Sequence, residues 1–411
     1  MEDKNPLRRA SGPTPHKILF LMWLTYGSFY LCRLNLAAVV PLIMDDLHIT
    51  HSTMGLIMAL FFTLYSSTQF PAGYLSDRLG PKRVIVLGSF LSSLSNLLFG
   101  LSSQVHYLIS FQLCNGVGQG GGWGPSVKLI CSWFPKSKWA SALGAYGTCI
   151  SLFTIFSYWM SSALGQRYGW RFAFLVPSSI LFCVGIIHWV FVQDSPRETH
   201  LIGVTHREGV GTIDASGGKT GIRAILIRRS AWLLAFSFAC VMFLDYTYLM
   251  WTPTFLYEAF GLTVVRAGIF SSIYPLVGLV ARPLGGYLSD FFFRRRETLM
   301  LIGLTSLTVL TFALSRALFS LTGTILLLGF IAFFSQLITM LFFVSMADLF
   351  TAEFAGSGAG FTDAVGHVGT ISAMVIAGMV IDTFHSYRLL FMILSGIAFL
   401  GTICMVLKPE R

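Results

Sequence analysis

Apolar runs of about 20 residues recur along this chain, parted by short stretches where glycine, proline and charged residues gather. Wound as α-helices, runs of that length match the hydrocarbon thickness of a bilayer. Twelve such spans are predicted, at about residues 18–43, 53–75, 84–103, 106–133, 139–165, 171–193, 231–257, 267–289, 298–318, 320–350, 356–381 and 387–407. The longest polar stretch, Asp194 to Arg229, separates six spans from six. It is rich in Gly, Ser, Thr and Arg and reads as a linker. The expected organisation is a six-helix bundle over 1–193, a cytoplasmic linker over 194–229 and a second six-helix bundle over 230–411.

The halves repeat one another. The pentapeptide G-Y-L-S-D occurs at Gly73–Asp77 and again at Gly286–Asp290, an offset of 213 positions. The same offset sets Ile49-Thr50 against Leu262-Thr263 and Gly55 against Gly268. Two halves of six spans share one orientation, so they are parallel repeats, an arrangement in which transporters place a site between the repeats.

Charge fixes the expected orientation. Of 28 Lys and Arg, only Arg167, Arg171, Arg266, Arg316 and Arg388 fall in the loops of one side, and Arg33, Lys128 and Arg282 fall within spans. The rest lie on the side of the termini, which the positive-inside rule assigns to the cytoplasm. Residues of the AVILMFWYC set make up 55% of the chain and charged residues 11%, against roughly 25% charged in soluble domains. The chain is expected to be a multi-pass protein of the plasma (cell inner) membrane, with the lipid bilayer as its surroundings. The net charge of +10 is spread over short loops and indicates no nucleic-acid face. The seven cysteines lie in apolar segments without C-x-x-C spacing and read as core residues, so no metal site or other cofactor is expected.

An ionisable side chain within a span costs about 2.5–3.5 kcal/mol on insertion scales and is a functional candidate. Arg33 lies near the middle of span one and Asp245 near the middle of span seven. The offset sets Arg33 against Tyr246, the neighbour of Asp245, so opposite charges on symmetry-related helices are expected at nearly one depth. Such a pair handles substrate or proton between the halves, or is a structural salt bridge. Tyr26, Tyr30 and Arg33 share a helix face, where phenol hydroxyls would assist a guanidinium fork in holding carboxylate or phosphate; packing is the alternative for the tyrosines. Lys128 is either a cavity cation or a side chain snorkelling to the headgroups. Asp363 and His367, four residues apart in span eleven, either pass a proton near neutral pH or form a satisfied buried pair. Asp348, near the end of span ten, reads as a loop-facing latch.

The segments Gly73-Tyr-Leu-Ser-Asp77-Arg78-Leu-Gly80-Pro-Lys82-Arg83 and Arg282-Pro-Leu-Gly285-Gly286-Tyr-Leu-Ser-Asp290 resemble the loop motifs of the major facilitator superfamily. The resemblance implies an all-α fold of twelve transmembrane helices, two bundles that rock about a midplane site, with both termini cytoplasmic. It assigns Asp77, Arg78, Arg83, Arg282 and Asp290 to gating rather than to substrate.

Further stretches narrow the likeness: Tyr30-Leu-Cys-Arg33-Leu-Asn35, Gly120-Gly-Gly-Trp123-Gly-Pro125, Trp133-Phe134 and Trp251-Thr-Pro253-Thr254 look like the organophosphate:phosphate antiporter branch. That branch uses an arginine in span one, matched by Arg33, and another in span seven, where this chain has Asp245. Two guanidiniums neutralise a phosphate dianion; an arginine and an aspartate do not. The pair suits a zwitterion, or a monoanion entering with a proton, the logic of the anion:cation symporter branch, whose span-one Tyr-x-x-Arg-x-Asn pattern is similar. The expected function is a secondary active, proton-coupled transporter of a small organic anion. Substrate would sit on Arg33 with Tyr26, Tyr30, Trp123, Lys128, Trp251 and Asp245, and Asp245, Asp363 and His367 are the candidates for the proton. The partners are the organic anion and a coupling proton or counter-anion, and a monomer is expected. The alternatives are organophosphate:phosphate antiport and a transporter-like ligand sensor without net flux. An enzyme is not expected: Gly116–Gly121 resembles a G-x-G-x-x-G string, yet it lies inside a span without a βαβ context.

Overall fold

The computed structural model describes residues 14–195, 227–291, 295–316, 320–349 and 355–408, and they are almost wholly helical. In the first half run α1 (Pro15–Leu47), α2 (His51–Leu79), α3 (Pro81–Leu101), α4 (Val105–Gly120), α5 (Trp123–Trp133), α6 (Trp139–Tyr168) and α7 (Phe172–Phe191). In the second run α8 (Arg229–Phe260), α9 (Val264–Ser271), α10 (Ile273–Phe291), α11 (Arg296–Arg316), α12 (Leu321–Leu349), α13 (Ala355–Phe384) and α14 (Tyr387–Val406). Helices α4 with α5, and α9 with α10, each build one span, so the fourteen α-helices among the described residues make twelve crossings. Ten helical stretches are each long and apolar enough to cross a membrane. Most of the predicted linker, residues 196–226, lies outside the described residues.

Small residues decide the packing. Span four breaks after its glycine run, at Gly121-Gly122. Before the break, a Cβ on Gly116 would come within 2.5 Å of the Phe61 carbonyl oxygen, and one on Gly118 within 2.7 Å of the Ser92 amide nitrogen. Glycine therefore lets α4 press onto α2 and α3 at backbone distance, as small residues do in lipid. The turn between α2 and α3 needs Gly80 at φ 88°, a region that favours glycine. There the Asp194 carboxylate accepts the Lys82 amide at 2.8 Å, so a residue from the end of span six caps α3.

The halves meet through α2 with α13, α1 with α8, and α6 with α9 and α10. Their hydrogen bonds lie away from the loops bearing Arg78, Lys82, Arg83, Lys136 and Lys138, the basic end. At the far end the Trp159 indole donates to Ser272 Oγ at 3.1 Å, and the Val265 amide donates to Gln166 Oε1 at 3.0 Å. Tyr158 donates to the Leu249 carbonyl, and His51 contacts Glu258 and Asp382. Among the described residues, no hydrogen bond or ion pair joins the halves nearer the basic end. The molecule is shut at the far end.

Candidate functional site

Arg33 is 4% exposed at the seam between the halves. Its guanidinium carbon lies 4.5 Å from the centre of the Tyr30 ring and 4.4 Å from that of Tyr65, so two phenol rings flank it. Its Nε donates to Gln119 Oε1 at 2.7 Å. Gln119 is held in turn, its amide donating to the Phe29 carbonyl at 3.2 Å and to Asn115 Oδ1 at 3.3 Å. One atom of the fork, Nη2, is buried without a hydrogen-bond partner. Two cation–π contacts at about 1 kcal/mol each and a charge-assisted hydrogen bond at about 2 kcal/mol offset the insertion cost of about 3 kcal/mol. The charge is thus tolerated, while a donor remains vacant.

Among the described residues Arg33 and Asp245 form no ion pair, so the structural salt bridge that was the alternative reading is not made in this conformation. Asp245 is turned into its own half: Tyr274 and Ser335 donate to Oδ1, and Gln336 Nε2 donates to Oδ2 at 3.1 Å. The rotation of α8 explains this. Asp245 faces α10 and α12, while its neighbour Tyr246 faces the seam, its ring 4.8 Å from Phe62.

Arg282 was expected at a gate. Its Nε donates to Gln336 Oε1 at 2.6 Å. The side chain of Asp290 lies outside the described residues.

Lys128 is engaged at the basic end of the first half. Its Nζ donates to Asp77 Oδ1 at 2.6 Å and to the Ser76 carbonyl at 2.9 Å, tying α5 to α2 at the basic end. Asp348 pairs with Arg296 at 3.4 Å at the corresponding end of the second half. Arg78 stacks on the Tyr74 ring at 4.6 Å, and Arg83 is exposed.

The aromatic candidates divide. Tyr26 and Trp123 pack at 5.4 Å, beside Tyr146 and Tyr30, as a cluster within the first half. Trp251 lies apart from it at the far end, its ring centre 6.0 Å from that of His51 and tilted to it by 32°. Asp363 and His367 do meet, with His367 Nδ1 3.5 Å from Asp363 Oδ2 and 2.9 Å from the Asp363 carbonyl oxygen. The His367 ring lies 5.6 Å from Tyr65, the ring that also flanks Arg33. Tyr65 links the two candidate groups, and sequence reasoning missed it. Gln119, Gln336, Tyr274 and His51 were missed as well. The glutamines did carry a signal, since both are amides buried inside apolar spans.

A family model for the Major Facilitator Superfamily matches residues 19–371. A probable sulfoacetate transporter of Cupriavidus necator is 25% identical, over 95% of this chain and 93% of its own. The glycerol-3-phosphate transporter of Bacillus subtilis is 25% identical, over 89% and 85%. Among solved structures, a bacterial homolog of the human lysosomal transporter Spinster, inward-facing and unoccupied, matches with a TM-score of 0.79. It covers 98% of this chain and 100% of that one at 18% identity, a likeness of fold alone. The family match takes in most of the chain, from the first span into the eleventh, and the helices repeat six and six. This chain belongs to the Major Facilitator Superfamily.

Proposed function

We propose that this protein carries a small organic anion through the membrane by alternating access, and that Arg33 is the group that holds the anion. Membership of the superfamily makes the chain a multi-pass membrane transporter. The observation that carries the substrate reading is the vacant Nη2 of Arg33, a buried charged donor that no carboxylate among the described residues pairs with. Gln119 occupies Nε, and the tyrosine rings cover the faces, so the guanidinium edge is what is left for a ligand. A carboxylate, sulfonate or phosphate oxygen fits that edge.

Charge narrows the class. Arg282 supplies a guanidinium from the second half, and Asp245 sits behind it through Gln336. One guanidinium from each half suits an anion with two acidic groups, or one acidic group and a polar tail. The relatives named for sulfoacetate and glycerol 3-phosphate support that class. The basic end is the cytoplasmic one on the distribution of Lys and Arg, so the conformation with the far end shut is inward-facing. For proton coupling we favour His367 with Asp363. His367 uses only Nδ1 in the described structure, and its ring shares Tyr65 with Arg33.

The test is ligand-induced stabilisation of the purified protein across sulfonates, carboxylates and phosphate esters, with Arg33→Ala beside it. A ligand at about 100 times its Kd adds roughly 2.7 kcal/mol to the stability of the folded state. The reading expects stabilisation by one of these anions and its loss in Arg33→Ala. Equal stabilisation of the variant would remove Arg33 from the site.

A further inference from the structure

At the far end, helix α2 of the first half begins inside a socket made by the second. The amides of His51 and Ser52 donate to Asp382 Oδ1 and Oδ2 at 3.0 and 2.7 Å. Asp382 belongs to α13, so the helix is capped from across the seam. The His51 ring is engaged on both nitrogens: Nδ1 lies 2.8 Å from Asp382 Oδ1, and Nε2 lies 2.9 Å from Glu258 Oε1. Tyr387, on α14, donates to the other Glu258 oxygen at 2.6 Å.

This geometry carries a proton count. An ionised carboxylate only accepts, and a neutral imidazole has one N–H to give. With carboxylate oxygens at hydrogen-bond distance from both nitrogens, both must donate, and the ring is an imidazolium. Asp382 and Glu258 already accept other donors, which favours their ionised forms. The groups facing the ring are Asp382 from α13 and Glu258 from α8, with Tyr387 behind Glu258 and the uncharged Trp251 indole alongside.

We propose that His51, Glu258 and Asp382 form a proton-binding site that latches the far end shut. With the proton bound, one imidazolium ties α2 to α8 and α13. Without it, one nitrogen lone pair confronts a carboxylate, and the halves separate more readily. The proposal rests on the alternating-access reading and extends it to a site that holds no substrate.

With the far end shut, packed residues close the way from the latch into the seam. Below the cluster, Gly55 lies against the Met374 carbonyl, where an added Cβ would come within 2.3 Å, and against Trp251. Trp251 and Met374 are buried. The side chains of His51, Glu258 and Asp382 are 17%, 30% and 23% exposed. Bulk protons therefore come and go on the far side, and the cluster senses pH there. Burial opposes charge on His51, but Glu258 and Asp382 outweigh it and raise its pKa above the ordinary histidine value. A group with a raised pKa in the shut state stabilises that state fully below its ordinary value, near 6.5. The contribution is lost as pH climbs through the raised value.

The experiment is amide hydrogen exchange of residues 51–55 in the full-length protein in lipid nanodiscs, without substrate, from pH 5.5 to 8.5, corrected for chemical exchange. The ratio of shut to open should fall with rising pH, by at most about tenfold per pH unit for one proton. In His51→Gln the profile should be flat. Glu258→Gln, a milder change that keeps the histidine, should move the midpoint to lower pH. A flat wild-type profile, or a His51→Gln profile that tracks the wild type, overturns the proposal. Because no substrate is present, failure of the anion reading leaves this measurement intact. The two readings also separate under Arg33→Ala, which should abolish anion binding and retain the pH response of the amides.

Discussion

Arg33 donates its Nε to Gln119 Oε1 at 2.7 Å, and that one bond decides which edge of the guanidinium remains available. The second half repeats the device, with Arg282 Nε on Gln336 Oε1 at 2.6 Å. In each half a glutamine on the fourth span of its bundle accepts from the Nε of an arginine.

If Gln119 aims the fork, Gln119→Leu should keep the charge and lose the aim. Anion affinity should fall roughly tenfold, the worth of one charge-assisted hydrogen bond. Arg33→Lys should fall further, since an ammonium cannot reproduce the planar fork. Calorimetric titration with whichever anion stabilises the wild type gives both numbers. Wild-type affinity in Gln119→Leu would contradict the aiming role.

Proton coupling should follow His367 and not Asp245. In vesicles with a pH gradient, His367→Gln should lose acid-driven accumulation and retain exchange of labelled for unlabelled anion. Asp245→Asn should keep its pH dependence, with weaker binding because Gln336 and Arg282 are less firmly placed. The reverse pattern would return the coupling role to Asp245.

Closure at the far end depends on a missing side chain. A Cβ on Gly378 would come within 2.4 Å of the His51 carbonyl oxygen, a backbone atom that cannot swing aside. Gly378→Ala should therefore disfavour the shut state by about 1–3 kcal/mol, the usual cost of overpacking, which is a shift of about 5- to 150-fold. The amides of residues 51–55 should exchange faster at every pH, while helix content by circular dichroism stays unchanged. No change in exchange would show that the contact is not made in the membrane.

Lys128 should prove dispensable for binding. Its partner is Asp77, and both side chains are well exposed, at 42% and 66%. Exposed pairs contribute little to stability. Lys128→Met should leave anion affinity within about twofold, a factor worth under 0.5 kcal/mol. It should alter the transport rate, read as initial uptake into vesicles. A large loss of affinity would put Lys128 back among the ligands.

The sequence by itself determined the twelve spans and the duplication of the halves, though not the breaks that split spans four and eight. A run of apolar residues long enough to span a bilayer is a local property, legible without knowing any neighbour. It also exposed Arg33, because a charge in an apolar run is costly wherever the helix lies. Partners were another matter. Asp245 turns from Arg33 because the rotation of α8 points it at Tyr274, Ser335 and Gln336, and offset counting gives depth without rotation. Lys128 finds Asp77 across 51 positions, and His51 finds Asp382 across 331. Tyr65 joins Arg33 to His367 only because α2 and α13 touch across the seam. Those pairings depend on how helices turn and how the halves lean together, and only the tertiary structure decided them.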